Sequence, residues 1–126
     1  MSRSPIGCAL MDDSGVTAVE FGLIAPVFIA FLFGVINLGV LMDAQASLHY
    51  AAEESARCAS VKTTVCSDAA STQSYAASHY YGPDVSATFT ATSGSCGNSV
   101  SASGTYLFNA GIFQLSIPLS AAACFP

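Results

Sequence analysis

The run Phe21–Met42, FGLIAPVFIAFLFGVINLGVLM, is 22 consecutive residues without a charge, bounded by Glu20 and Asp43. As an α-helix rising about 1.5 Å per residue it is about 33 Å long, enough to cross a hydrocarbon core of roughly 30 Å once. Gly22, Pro26, Gly34 and Gly39 would weaken such a helix in water. In lipid they are tolerated, because the alternative to a helix is an unpaired backbone. Pro26 withholds one backbone donor and bends the first turns. Loop charge does not orient the segment. Arg3 is set against Asp12 and Asp13 on one side, and on the other Arg57 and Lys62 come late and are outweighed by acids.

The rest of the 126 residues is unusual in the opposite sense, rich in Ala, Ser and Thr. Charged residues make up 9% of the chain, against roughly 25% in an average soluble domain, while 52% are hydrophobic. Three basic residues against eight acidic ones leave nothing to neutralise phosphates, which argues against a nucleic-acid binder. Disorder needs low hydrophobicity and high charge and is also disfavoured. The composition is that of a membrane segment carrying a small polar head.

Helical character runs from Val16 through the apolar segment to Ser60. Gln45, His49, Glu53 and Arg57 recur every fourth residue as one polar ridge, with Ala44, Leu48, Ala51, Ala52 and Ala59 mostly on the other side. Glu53 precedes Arg57 by four residues, the favourable order for an exposed helical pair. The small residues allow close approach of another helix or of a sheet. After a break at Lys62–Thr64, Ser67 offers an amino-terminal cap for a second helix, DAASTQSYAASHYY, which Gly82-Pro83 ends. The period then changes to two. Val85, Ala87, Phe89 and Ala91 alternate with hydroxyl residues, and Val100, Ala102, Tyr106 and Phe108 continue on a second strand with Gly104 as a candidate bulge. Leu115, Ile117 and Leu119 mark a third strand, whose Pro118 favours an edge. Gly94, Gly97-Asn98 and Asn109-Ala110-Gly111 supply the turns. The expected fold is α+β: a long amino-terminal helix, a short second helix and a small antiparallel sheet of about three strands packed on the outer half of the long helix. The expected division is a leader at 1–15, the long helix at 16–60 with 21–42 in the membrane, and a head at 61–126.

Of five cysteines, Cys8 precedes the apolar run, and Cys58, Cys66, Cys96 and Cys124 follow it. An even set of four in a small, weakly charged region points to two disulfides and an oxidising compartment. The alternative is four buried thiols, since free cysteine is commonly buried. A hairpin about Asn109-Ala110-Gly111 makes opposed residue numbers sum to about 220, placing Cys96 across from Cys124. Cys58 and Cys66 would close the turn between the helices. Three pairings are open to four cysteines, and this one is the most local. No spacing resembles a zinc site, and His49 and His79 stand alone, so no metal or other cofactor is implied. The residues beyond the apolar run hold no nucleophile–base–acid set and no phosphate-cradling loop, so neither an enzyme nor a small-molecule substrate is expected.

At the inner edge of the run stands Gly15-Val16-Thr17-Ala18-Val19-Glu20-Phe21. A glycine, five residues, then an aromatic, with a glutamate fifth after the glycine, resembles a prepilin-type processing site. Gly15 is the small, flexible residue such a peptidase needs before the scissile bond. Cleavage would leave Val16 as the new amino terminus and Glu20 at its fifth position. A carboxylate at the lip of a membrane helix is costly to bury unless paired, and the free amine of a neighbouring subunit would pair it.

With SGVTAVEFGLIAPVFIAFLFGVINLG, the Ala-rich AQASLHYAAEESARCAS and, more loosely, VSASGTYLF and IPLSAAACFP, the chain resembles the TadE-like pilus-assembly family of the tight-adherence (Flp-type) system. The resemblance covers most of 14–61 and, more weakly, 84–126. It implies a pilin-like minor pilin or pseudopilin supporting surface adherence and biofilm formation. By the same resemblance Gly15 and Val16 are the processing site, and Glu20 and Phe21 are the assembly residues. The implied partners are a prepilin peptidase, other pilins and pseudopilins of that system, inner-membrane assembly proteins and membrane lipid. The implied location is the bacterial inner membrane, single-pass, with the carboxyl-terminal region in the periplasm. The rival is a secreted or anchored binding protein, because Ala44-Gln45-Ala46 has the A-x-A form of a signal-peptidase site. A secretory apolar core is about 7–15 residues, shorter than this one.

Overall fold

The computed structural model describes residues 13–126. In chain order these form helix α1 (Asp13–Val61), helix α2 (Ala69–Ser78) and strands β1 (Thr88–Gly94), β2 (Gly97–Asn109) and β3 (Gln114–Phe125). The result is the expected α+β arrangement of a long helix, a short helix and a three-stranded antiparallel sheet. Arg3, Cys8 and most of the expected leader lie outside the described residues. From Asp13 the chain is already helical, so α1 starts earlier than the Val16 expected from sequence. The chain divides into a unit ending at Val35 and a second running from Ile36 to Pro126.

In the first unit α1 shows apolar residues on every side. Phe21, Phe31 and Val19 are 74%, 67% and 65% exposed, and between Val16 and Val35 only Ala25 is even half-buried. A helix that is hydrophobic all round needs an apolar environment. By length and composition α1 qualifies to cross a membrane, and its most apolar stretch has none of its residues buried against the rest of the protein. This is compatible with a single-pass membrane protein.

The second unit is the head, built around the carboxyl-terminal half of α1. Ala44, Leu48, Ala52 and Ala56 recur every fourth residue and form one face of the core; Val85, Val100, Ala102, Leu119 and Ala121 form the other. Alanine at three of the four helix positions brings the sheet close to the helix backbone, and Leu48, fully buried, is the largest group the helix contributes. His49, Glu53 and Arg57 fall on the exposed side, while Gln45, expected on the same ridge, is half-buried and turned toward the sheet. Helix α2 lies against β1 and is tied to α1 by the Tyr75 hydroxyl, which donates to Glu54 Oε1 at 3.3 Å. Lys62 Nζ stands 3.9 Å from the same carboxylate oxygen.

The sheet order is β1-β2-β3, with Pro118 on an edge strand where its missing N–H is harmless. Several sequence expectations are corrected at this level. The β2–β3 register pairs Asn109 with Gln114 and Asn98 with Phe125, so opposed numbers sum to 223, not 220. The turn is Ala110–Phe113, closed by Ala110 N–H donating to Phe113 O at 3.0 Å, one residue longer than the expected Asn-Ala-Gly. Strand β1 begins at Thr88 because Ser86 has a positive φ of 50° and turns Val85 out of the ladder and into the core. Gly104 is no bulge, since the register passes through it without interruption. A Cβ there would lie 2.8 Å from Val85 Cγ2 and 2.9 Å from Val85 O, so its use is close approach. The cap of α2 is Asp68, not Ser67. Its Oδ1 accepts from Ser71 N–H at 2.7 Å, and Ser71 Oγ accepts from Asp68 N–H at 3.1 Å, a reciprocal capping box.

Candidate functional site

The sequence motif occupies the first turns of α1. Gly15 and Val16 are exposed, and the bond between them lies in helical backbone close to the first of the described residues. Val16 and Glu20 are four apart and share one face, as do Thr17 and Phe21. Val16 is 60% exposed, Phe21 74%, and Glu20 is exposed too. Glu20 stands seven residues, about two turns, inside α1 as it begins at Asp13.

The four later cysteines are joined in two bridges within the head, Cys58 to Cys66 and Cys96 to Cys124, with Cα separations of 5.8 and 6.4 Å. Cys58–Cys66 pins the end of α1 to the start of the segment leading into α2, and both residues are buried. Cys96–Cys124 does not join directly opposed strand residues. Cys124 faces Ser99, and Cys96 sits in the β1–β2 turn, so the bridge ties that turn to the end of β3. Beside it Ser60 Oγ donates to Phe125 O at 3.1 Å, and Asn98 Nδ2 donates to Ser60 Oγ at 3.1 Å. The far end of the sheet is thereby fastened to the far end of α1.

Two polar side chains of α1 that the sequence reading gave no role hold the remainder of the sheet. Gln45 Nε2 donates to Ser120 O at 2.7 Å. The Tyr106 hydroxyl donates to Asn37 Oδ1 at 3.1 Å. The signal for the second was a lone amide within the 22-residue apolar run, where a polar group needs a partner.

The histidines are occupied locally. His49 Nε2 is 3.1 Å from Gln45 Nε2, and His79 stacks on Tyr75 with ring centroids 4.0 Å apart. Among the described residues no His, Cys, Asp and Glu side chains come together as a set able to hold a metal ion. Tyr80 donates to Pro83 O at 2.5 Å; burial pushes its phenol pKa above the ordinary 10.0, and the charges of Asp43 and Asp84 add to the effect.

These features define a class: a small α+β head closed by two disulfides, built on the continuation of an apolar helix of membrane-spanning length. Over residues 15–57 the chain matches the family of TadE-like proteins, which bears out the resemblance read over 14–61; residues 84–126, where a weaker resemblance was read, lie outside the match. The match runs from the glycine of the amino-terminal motif through the apolar run to the alanine face of the head. No curated protein and no solved structure matches the chain.

Proposed function

We propose that the protein is a minor pilin or pseudopilin of a tight-adherence pilus system, a structural component with no catalytic role of its own. The observation that carries this reading is one helix with two faces of use. Its first half is apolar on all sides and opens with Gly15-Val16 and Glu20-Phe21, and its second half is the spine of a disulfide-closed head. The match of residues 15–57 to TadE-like proteins supports it.

In this reading the amino-terminal residues face the cytoplasm and the head faces the periplasm, where two disulfides persist. A prepilin peptidase cuts between Gly15 and Val16 at the inner membrane surface. The freed Val16 amine adds a positive charge to a helix end already favourable to anions, and Glu20 of an adjoining subunit offers it a carboxylate. The helix, first a membrane anchor, then becomes the packing element among pilins, with inner-membrane assembly proteins as further partners. Adherence and biofilm formation follow from the pilus as a whole.

The test is the mature amino terminus, read by intact mass from cells with a working prepilin peptidase. A chain beginning at Val16 is the expected result. A chain beginning at Ser47 would show secretion instead, and a chain retaining residues 1–15 would leave a simple anchor. Cleavage after Ala46 would remove fully buried Ala44 and the Gln45–Ser120 bond from the head, which is why the Val16 outcome is favoured.

A further inference from the structure

Strand β3 is an edge of the sheet, and three contacts fix which of its backbone groups face away from β2. Pro118, which has no N–H, stands opposite Thr105. Thr105 gives its own N–H to Val85 O at 2.8 Å, on the side away from β3. Ser120 O is taken by Gln45 Nε2 at 2.7 Å and not by β2. Backbone direction alternates from residue to residue, so Ser120, Ala122 and Cys124 turn their N–H and C=O groups outward together with Pro118. Pro118 and Gln45 occupy the first part of this edge. Beyond them the Ser120 N–H and the N–H and C=O groups of Ala122 and Cys124 have no partner among the described residues.

An open edge is a template for another extended backbone, and proteins blunt it with lysine, proline or bulges. Residues 119–125 carry none of these: they include no charge and no proline, and the register runs to Phe125 without interruption. Along this part of the edge lies a cleft of about 450 Å³, with Tyr50, Glu53 and Arg57 of α1 on one side and residues 122–125 on the other. Ala122 and Cys124 are exposed there, as are Tyr50 at 52% and Phe125 at 38%. Arg57 has no ion pair among the described residues, and the expected pair with Glu53 is not made.

We propose that residues 120–124 accept an extended segment of another protein as a fourth strand of the sheet, seated in the cleft beside α1. The match is of backbone to backbone: unpaired donors and acceptors at strand spacing are complemented by another strand and not by a helix or by lipid. Side chains on the inner side of that segment meet Tyr50, Phe125 and Arg57, which selects apolar residues and one carboxylate. A second copy of the chain is a poor occupant. Strand β3 runs in the same direction as α1, since Gln45 holds Ser120 and Ser60 holds Phe125. Two β3 edges paired antiparallel would therefore point their α1 helices in opposite directions, which copies crossing one membrane in the same sense do not do. That exclusion rests on reading residues 21–42 as a membrane span; the open edge does not.

The test uses the full chain in detergent micelles and a displayed library of short random peptides. The expected result is enrichment of peptides that alternate apolar residues and carry a carboxylate. Resynthesised, they should slow amide exchange at Ala122 and Cys124, and methylation of their backbone nitrogens should weaken binding at every second residue only. Ala122→Pro removes one outward N–H, as Pro118 already does on the same edge, and should weaken binding about tenfold. Arg57→Glu should weaken it too. Peptides that bind without protecting Ala122 and Cys124, or that bind Ala122→Pro as well as the parent, would overturn the proposal. So would a library that yields nothing above empty micelles. Protection of the two amides that needs no peptide and rises with protein concentration would show a second copy on the edge, and would overturn it as well. Should Ala122→Pro fail to fold, the amide exchange and the methylated peptides decide alone.

Discussion

Val85 closes directly over Gly104: Val85 O accepts from the Thr105 N–H at 2.8 Å, and the valine side chain fills the space where a residue 104 side chain would stand. Val85 is buried to 1% exposure and joins the core formed by Leu48 and Val100. The positive φ of Ser86 and the hydrogen bond from Ser86 N–H to Asp84 Oδ1 at 3.0 Å hold the valine in this position. The plug, the missing side chain and the backbone bond act together.

Gly104→Ala should therefore be destabilising. The added methyl meets both backbone and a branched side chain, neither of which is the free end of a flexible group, and overpacking of this kind costs about 1–3 kcal/mol. Gly94→Ala is the control, since no heavy atom lies within 4 Å of its added carbon, and a change within about 0.5 kcal/mol is expected there. Denaturant midpoints of the full chain in detergent micelles measure both.

The two disulfides should contribute unequally. They close loops with sequence separations of 8 and 28, and the chain-entropy relation assigns about 2.5 kcal/mol to the shorter and about 3.6 kcal/mol to the longer. Cys96→Ser with Cys124→Ser should thus lower the midpoint more than Cys58→Ser with Cys66→Ser on that ground alone. The burial of Cys58 and Cys66, against the exposure of Cys96 and Cys124, works the other way, by leaving two hydroxyls in the core. Comparing serine with alanine pairs separates the two: alanine should restore part of the loss only at positions 58 and 66.

The order of elements was legible because hydrophobic period is a strong signal. The fourfold recurrence of Ala44, Leu48 and Ala52, and the alternation of Val100 and Ala102, each face one core. Register was not legible, because it depends on turn length, and Ile112-Phe113 carry no turn chemistry that would have extended the Asn109-Ala110-Gly111 loop. Val85 continues the alternation of β1 on paper, yet it packs across the strand and not along it; a period cannot tell a ladder residue from a plug. Ser67 and Asp68 are both good caps one residue apart, and only the reciprocal bond from Ser71 chooses between them. At the amino-terminal motif, the roles proposed for Gly15, Glu20 and Phe21 involve a peptidase and neighbouring subunits, which intrachain contacts do not report.

Asp68 gives a pH test outside the membrane-spanning segment. Bonding to the Ser71 N–H and then to its hydroxyl holds the carboxyl below the ordinary 3.8, against the opposing effect of desolvation. A carboxyl whose folded pKa is depressed contributes stability that is present above its unfolded value and lost as pH falls through the folded one. Acid titration of the head should therefore show a loss below pH 3.8 that Asp68→Ser removes, because serine caps the helix without titrating. Asp68→Ala should lower stability at neutral pH as well. Helical circular dichroism of the full chain against pH reads all three.

Glu20 is the residue on which the pilin reading turns. It stands four residues from Val16 on the same face of α1, one turn below the amine that processing would create. It borders the apolar run beginning at Phe21, so in lipid or among packed helices its charge needs a partner. Glu20→Ala removes that partner interaction and leaves the Gly15–Val16 bond unaltered. The expected outcome is a chain cut to Val16 at normal rate and present at normal level in the membrane, with pilus yield sharply reduced. Glu20→Gln should fall with alanine, because an amide cannot neutralise an ammonium group. If both variants are processed and piliation is undiminished, the carboxylate has no part in assembly. If neither is cut, its role belongs to recognition by the peptidase and not to contact between subunits.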